Sequence, residues 1–222
     1  MAKRDFDIVS LDIEAGGVGK PFAVLSPSGQ PYPLLSIGCV RLSDFQTFYT
    51  EIGYEYVTVM PESLQVNGLN LATHNSKKTK FREEKLPTAK EVDEMFLEWL
   101  KSDPMYKEGN KFCLIPLGLN VGQFDMQFVR YWLPKSGEVF GWKSMDLNAL
   151  LFDHAIQRGE NPSDVMRAAK ELGHMFAIDH FGEKKLHNAL YDAWKAIGAY
   201  RYIHGMEPSA VGKVEWEGGG RG

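Results

Sequence analysis

Cysteine is scarce in this chain. Only Cys39 and Cys113 occur in 222 residues, each inside an apolar run, SIGCV and KFCLIPL. A disulfide-built scaffold does not fit that usage, and two buried free thiols in a reducing compartment are expected. Long hydrophobic runs are missing as well. No stretch approaches the roughly 20 apolar residues of a membrane span. The start, MAKRDFDIVSLDIEAGG, lacks the uncharged apolar core of a signal peptide. A cytoplasmic protein with no membrane partner is therefore expected. Positive charge is also in short supply, with 25 Lys and Arg against 29 Asp and Glu and a net charge of −4. That balance argues against a broad basic face gripping long duplex nucleic acid, but not against a few terminal phosphates held through metal ions. No Cys/His cluster has zinc-ligand spacing, which disfavours zinc. His74, His154, His174, His180 and His204 lack partners at ligand spacing and are expected on the surface or satisfied in the core.

A hydrophobic content of 44% suits one sizeable domain, placed at residues 1–205, with a flexible tail at 206–222 ending in EWEGGGRG. FDIVSLDI (6–13) reads as a buried strand, and LLSIGCVRL (34–42) with FQTFYTEI (45–52) as a hairpin. Between the first two strands runs a Gly-, Pro- and Ser-rich loop, 16–33. Thr88 and Glu91 match a capping box, followed at helical spacing by Val92, Met95, Phe96, Trp99 and Leu100. KFCLIPLGL (111–119) is a fourth strand, 125–133 a short helix stopped by Pro134, and a fifth strand falls within VFGWKSM. A helix over Ser163–Leu172 is closed by Gly173, and a last one follows His187 to about Ile203. Strands that alternate with helices predict an α/β domain with a mixed sheet. Ligands of such sheets gather at the carboxyl ends of the strands.

Those strand ends carry acids. Asp12 and Glu14 are two apart, so strand geometry sends both to one face, where they repel each other unless a cation lies between. Asp125 follows the fourth strand and taken alone reads as a helix-start acid. In 185-KLHNALYDAW-194, His187 and Asp192 stand five apart and would point in different directions on one helix. Asn188 as N-cap resolves this by leaving His187 on a loop, with Leu190, Ala193, Trp194 and Ile197 as the buried stripe. Converging carboxylates suit hard cations such as Mg²⁺ or Mn²⁺. Asp146 reads as an N-cap, and the run 77-KKTKFREEK-85 as a solvated loop.

Taken together, DIE at 12–14, GLNVGQFD at 118–125 and HNALYDA at 187–193 resemble the three motifs of the DEDDh 3′→5′ exonucleases. The likeness extends over about 5–204, including VNGL at 66–69 and MDLNALL at 145–151. It implies an RNase H-like α/β fold, with a mixed five-stranded sheet and helices on both faces. It also implies two divalent cations, Mg²⁺ or Mn²⁺, held by Asp12, Glu14, Asp125 and Asp192, with His187 as general base. The implied substrates are 3′ ends of single-stranded DNA or RNA, with DNA ahead, contacted by Ala15, Gly16, Gly17, Asn120 and Phe124. Two positions depart from the pattern. Leu119 stands where His is frequent and reads as packing. Gly16-Gly17 stand where Thr is frequent and would let backbone N–H groups approach a phosphate. Phe22 and Tyr32 read equally as base-stacking or loop-anchoring side chains. The alternatives are an exoribonuclease or oligoribonuclease, and a catalytically silent binding module on the same fold. No polymerase or repair partner is readable.

Overall fold

Alternation along the first strand sets up both faces of the sheet. In β1 (Asp7–Ala15), Val9, Leu11 and Ile13 enter one apolar cluster, while Ile8 enters another on the opposite face. Ser10, on the Ile8 side, donates its hydroxyl to the carbonyl of Ala193 at 2.8 Å. The structure is a computed structural model and describes residues 5–18, 24–55, 58–63, 85–182 and 187–205. Phe22, His74, the VNGL segment, residues 77–84 and the tail 206–222 lie outside them.

Around β1 the sheet runs in the order 47–51, 34–41, β1, 114–118, 145–146. The hairpin is present: β2 (Leu34–Arg41) and β3 (Thr47–Glu51) pair antiparallel, and β2 pairs antiparallel with β1. On the other side β4 (Leu114–Gly118) and β5 (Met145–Asp146) run parallel to β1. The expected mixed α/β sheet is what the chain forms. β4 and β5 end together at Gly118 and Asp146, one residue past the Ser10–Leu117 pair of the β1–β4 ladder.

One face is covered by α1 (Ala89–Lys101) and α2 (Asp125–Trp132), whose Val92, Phe96, Phe128 and Val129 join Val9 and Leu11 in the core. Burying such a side chain fully contributes about 1.5–3 kcal/mol. The capping box forms as expected, with Thr88 and Glu91 satisfying each other's backbone N–H. Met95 departs from the expected stripe and lies exposed. The opposite face carries α4 (Leu147–Arg158), α5 (Pro162–Phe181) and α6 (Ala189–Ile203). The four stripe residues of α6 are all buried. Cys39 and Cys113 are buried and unbridged.

Three expectations need correction. Pro134 stops α2 but also opens a further short helix, α3 (Pro134–Val139). The buried carboxylate of Asp93 accepts from the N–H groups of Lys135 and Ser136 at 3.0 and 2.9 Å, so α1 caps α3. Within VFGWKSM, only Met145 is strand, continuing into Asp146. Pro116 explains the shortness: β5 pairs only with Leu117 and Gly118, beyond the residue that has no N–H to offer. Finally, Gly173 does not end its helix, which runs to Phe181 and closes at Gly182 (φ 84°). A Cβ on Gly173 would lie 2.6 Å from the Lys195 carbonyl oxygen, and one on Gly198 would lie 2.9 Å from the Gly173 Cα. Gly173 is a contact point between α5 and α6, a use that local sequence cannot distinguish from a stop.

A tighter contact fixes α6 to the sheet. A Cβ on Gly38 of β2 would meet Leu190 N at 2.2 Å and the Ala189 carbonyl carbon at 2.3 Å. Both obstacles are backbone, so no side chain can rotate away. Gly38→Ala is expected to cost at least the roughly 1–3 kcal/mol typical of overpacking. In a chain of this size that corresponds to a loss of about 2–12 °C in thermal midpoint. Circular dichroism melting checks this, and an unchanged midpoint would show that α6 lifts off the strand freely.

Candidate metal centre

The face that carries Ser10 also carries Asp12 and Glu14, one and two strand repeats further along. Asp12 stands opposite Gly38 in the β1–β2 register and Glu14 opposite Ser36. Since α6 lies directly on Gly38, its first turn comes down beside Asp12. Asn188 caps that turn, its side-chain oxygen accepting the Tyr191 N–H at 3.1 Å. Asp192 follows inside the turn. Carboxylate oxygens of Asp12, Glu14 and Asp192 all lie within 4.8 Å of one another. Oxygens on opposite sides of one Mg²⁺ are about 4.2 Å apart, so small rotations would bring these three onto a single hard cation.

Asp125 reaches the same strand end from α2. It is 3% exposed, and its Oδ1 accepts the N–H of Ile13, between Asp12 and Glu14, at 3.2 Å. It lies outside the tight trio. Burial pushes the Asp125 carboxyl up to about 8 against the pull of its backbone hydrogen bonds, with Asp146 adding repulsion. Burial and the charges of Asp192 and Asp125 raise Glu14 to about 8 as well. Asp12 is raised well above the usual carboxylate range by burial, then by Asp125, Asp192 and Glu14. Acids crowded and desolvated in this way would be stabilised in their ionised form by a cation.

Sequence reading missed one charge partner. The Lys195 ammonium pairs with Asp192 one helical turn away, and it partly offsets the repulsion at Asp12 and Glu14. The signal was the i,i+3 spacing from Asp192 to Lys195, just beyond the last motif. With the trio ionised, one ammonium leaves two negative charges, which matches one divalent ion.

His187 stands exposed just before α6, outside the carboxylate trio, with φ 58°. The expected loop position is therefore observed. Asn120, beyond β4, has φ 56° and accepts from the Asn148 side chain at 3.2 Å. Left-handed backbone at non-glycine residues costs energy and gathers at functional sites. Asn188 also donates to the Tyr49 hydroxyl at 3.4 Å, and Tyr49 lies on β3 opposite Gly38. Only the sheet register brings Tyr49 here; nothing local in the sequence marks it.

The remaining candidates divide. Ala15 sits at a register irregularity ending β1, and Phe124 is partly buried against Phe128. Gly16 donates its N–H to Pro33 at 2.9 Å, so that donor is already committed and not offered to a phosphate. Gly16 and Gly17 admit Pro33 and the Tyr32 ring at distances a Cβ would forbid. Tyr32 is in the core, which decides for anchoring over stacking. Leu119 is 45% exposed, so it is not the packing residue expected; β4 ends at Gly118 and leaves it on the rim. Asp146 does cap α4, accepting the Asn148 N–H at 2.9 Å. His174 meets the Tyr191 hydroxyl, and His180 stacks on Trp194.

No protein-family profile matches this sequence, and no curated protein does. Solved structures match in fold. E. coli exonuclease I in complex with a dT13 oligonucleotide has a TM-score of 0.59 at 13% identity, covering 91% of this chain and 42% of that one. The zinc-bound E. coli exonuclease I–single-stranded DNA complex gives 0.57 at 13%, over 93% and 42%. A moderately thermophilic exonuclease I from Methylocaldum szegediense gives 0.60 at 15%, over 92% and 41%. The chain thus spans about two fifths of the length of these structures. What they share with it is the RNase H-like α/β fold. Among the described residues, no helix is long and apolar enough to cross a membrane.

The raised carboxyl groups link stability to pH. Glu14 and Asp125 hold protons in the fold up to about pH 8, whereas the unfolded chain sheds them near 4.5 and 3.8. Their contribution is full below the unfolded values and is lost as pH rises through 8. In EDTA, the urea midpoint is expected to fall between about pH 5.5 and 8.5, with a shallower fall in Glu14→Gln. Mg²⁺ or Mn²⁺ should restore stability most at the higher pH, because ligands must be deprotonated to bind. Equal pH slopes for wild type and variant would contradict the assignment.

Proposed function

We propose that the protein is a divalent-cation-dependent 3′→5′ exonuclease acting on single-stranded nucleic acid, DNA ahead of RNA. The observation that carries this reading is the convergence of Asp12, Glu14 and Asp192, with Asp125 behind them, at the end of the parallel strands. It is supported by the fold likeness to exonuclease I structures that hold single-stranded oligonucleotides.

Two cations, Mg²⁺ or Mn²⁺, held by Asp12, Glu14, Asp192 and Asp125, would neutralise the phosphodiester and its attacking and leaving oxygens. The chain supplies the rest. His187 takes the proton of the attacking water, the general-base role most often filled by an imidazole. Its left-handed backbone and the Asn188–Tyr49 hydrogen bond aim the turn that carries it. Ala15, Gly16 and Gly17 form a close wall for the terminal nucleotide, and Asn120 and Phe124 flank it after β4. The acidic overall charge restricts grip to a few nucleotides of single strand and leaves duplex weakly held.

One observation favours a catalytically silent module instead: Lys195 already partners Asp192 as a cation would. Incubation with 5′-labelled single-stranded DNA and RNA, in Mn²⁺, Mg²⁺ or EDTA, separates the two readings. A descending ladder in the metal arms and none in EDTA is expected. Immediate release of labelled mononucleotide would indicate the opposite polarity, and an intact substrate in every arm a silent module. Asp12→Asn and Asp192→Asn should abolish the ladder with the fold retained.

His187→Ala tests the base directly. Its kcat is expected to fall by about 10²–10⁴-fold, the usual general-base contribution, with cation affinity little changed. The rate of the variant should also depend on pH less steeply than that of the wild type. A near-normal rate with the wild-type pH profile would reduce His187 to a turn residue.

A further inference from the structure

On the β4–β5 side of β1, a pocket of about 490 Å³ opens between Leu119, α4, α5 and α6. The Ala15–Gly17 segment packs on the other side, against Pro33 and Tyr32 next to β2. The pocket adjoins the candidate site through two of its walls. Lys195 lines it while pairing with Asp192, and Asn148 lines it while hydrogen-bonding Asn120.

Its chemistry differs from that of the chain as a whole. In a protein of net charge −4, the pocket is lined by Lys170, Lys195 and Arg167 and by no acid. Arg167 and Lys195 are paired with Asp164 and Asp192, whereas Lys170 has no acidic partner among the described residues. Beneath the cations the lining is apolar, with Leu119 45% and Met166 39% exposed at the rim. Two solvent-facing apolar side chains beside an uncommitted ammonium suit a ligand that is flat and apolar at one end and anionic at the other. A thioether also packs well against aromatic rings. The volume lies within the roughly 300–1,000 Å³ of small-ligand pockets.

We propose that this pocket is a nucleotide subsite, taking a base on Leu119 and Met166 and its phosphate against Lys170 and Lys195. Its occupant is a nucleotide of the bound single strand, on the far side of the carboxylates from the Ala15–Gly17 wall. The identity of that strand rests on the exonuclease reading; the pocket's preference for a nucleotide does not.

The test uses the full chain in EDTA, with fluorescence anisotropy of a short 5′-fluorescein oligo-dT. Lys170→Glu and Leu119→Trp, which reverses the charge and fills the rim respectively, should each weaken binding by about 10-fold or more. Lys90→Glu on α1 makes the same charge change elsewhere and should leave binding within about 2-fold. Thymidine 5′-monophosphate should displace the probe better than thymidine or inorganic phosphate alone, and better than an oligoglutamate peptide. Wild-type affinity in both pocket variants, absence of binding by the wild type, or equal displacement by oligoglutamate would overturn the proposal. In Mn²⁺, Lys170→Glu should raise KM with kcat within about 2-fold, since it lies outside the carboxylate cluster. A protein that binds the probe through this pocket but degrades nothing would refute the exonuclease reading and leave the subsite standing.

Discussion

Backbone against backbone, Gly38 and the first turn of α6 meet more closely than any side chain would permit, and the candidate site inherits its dimensions from that contact. Asp12 is the register partner of Gly38, and Asp192 lies within the turn resting upon it. A methyl group at Gly38 would therefore act as a spacer between two of the clustered carboxylates. The Ser10–Ala193 hydrogen bond pins the same helix one strand repeat back, where the sheet is fully buried. Glycine weakens a strand when judged alone. Here the weakness is accepted because it lets a helix descend far enough to share oxygens with the sheet.

That closeness has an electrostatic cost. Asp12 and Glu14, drawn together and shielded from water, resist ionisation, and so does Asp125, which stands behind them in the core. Lys195 is the compensation supplied within the chain itself. It lies one turn beyond Asp192, close enough to pair and displaced enough to line the neighbouring pocket. The protein consequently carries an ammonium at the place where the clustered acids could hold a divalent cation, and the two would compete for the same carboxylate.

Much of this was legible in the order of residues because the relevant physics is local. Period-two alternation put Asp12 and Glu14 on one face, Asn188 announced where α6 begins, and Thr88 with Glu91 announced α1. Free, buried thiols followed from apolar flanks around Cys39 and Cys113. What escaped depends on contacts through space. Gly173 has the sequence appearance of a helix stop but serves as a seat for α6. Tyr49 reaches the site only through the strand register, and Leu119 is exposed because β4 ends one residue earlier. Lys195 was readable by spacing, yet its importance emerges only beside acids that arrive from other elements.

Pro116 has a consequence at the margin of the sheet. An outer strand with free N–H and C=O groups is a template on which another chain can add itself. Because β4 meets its neighbour only at Leu117 and Gly118, the outermost strand on this side is reduced to Met145 and Asp146. The chain then turns at once into α4, capped by Asp146. Two residues are too short a template for stable cross-chain pairing, and a proline just inside them bars the ladder from growing inward. The margin nearest the acids is thereby protected from self-association by the same residue that limits the sheet.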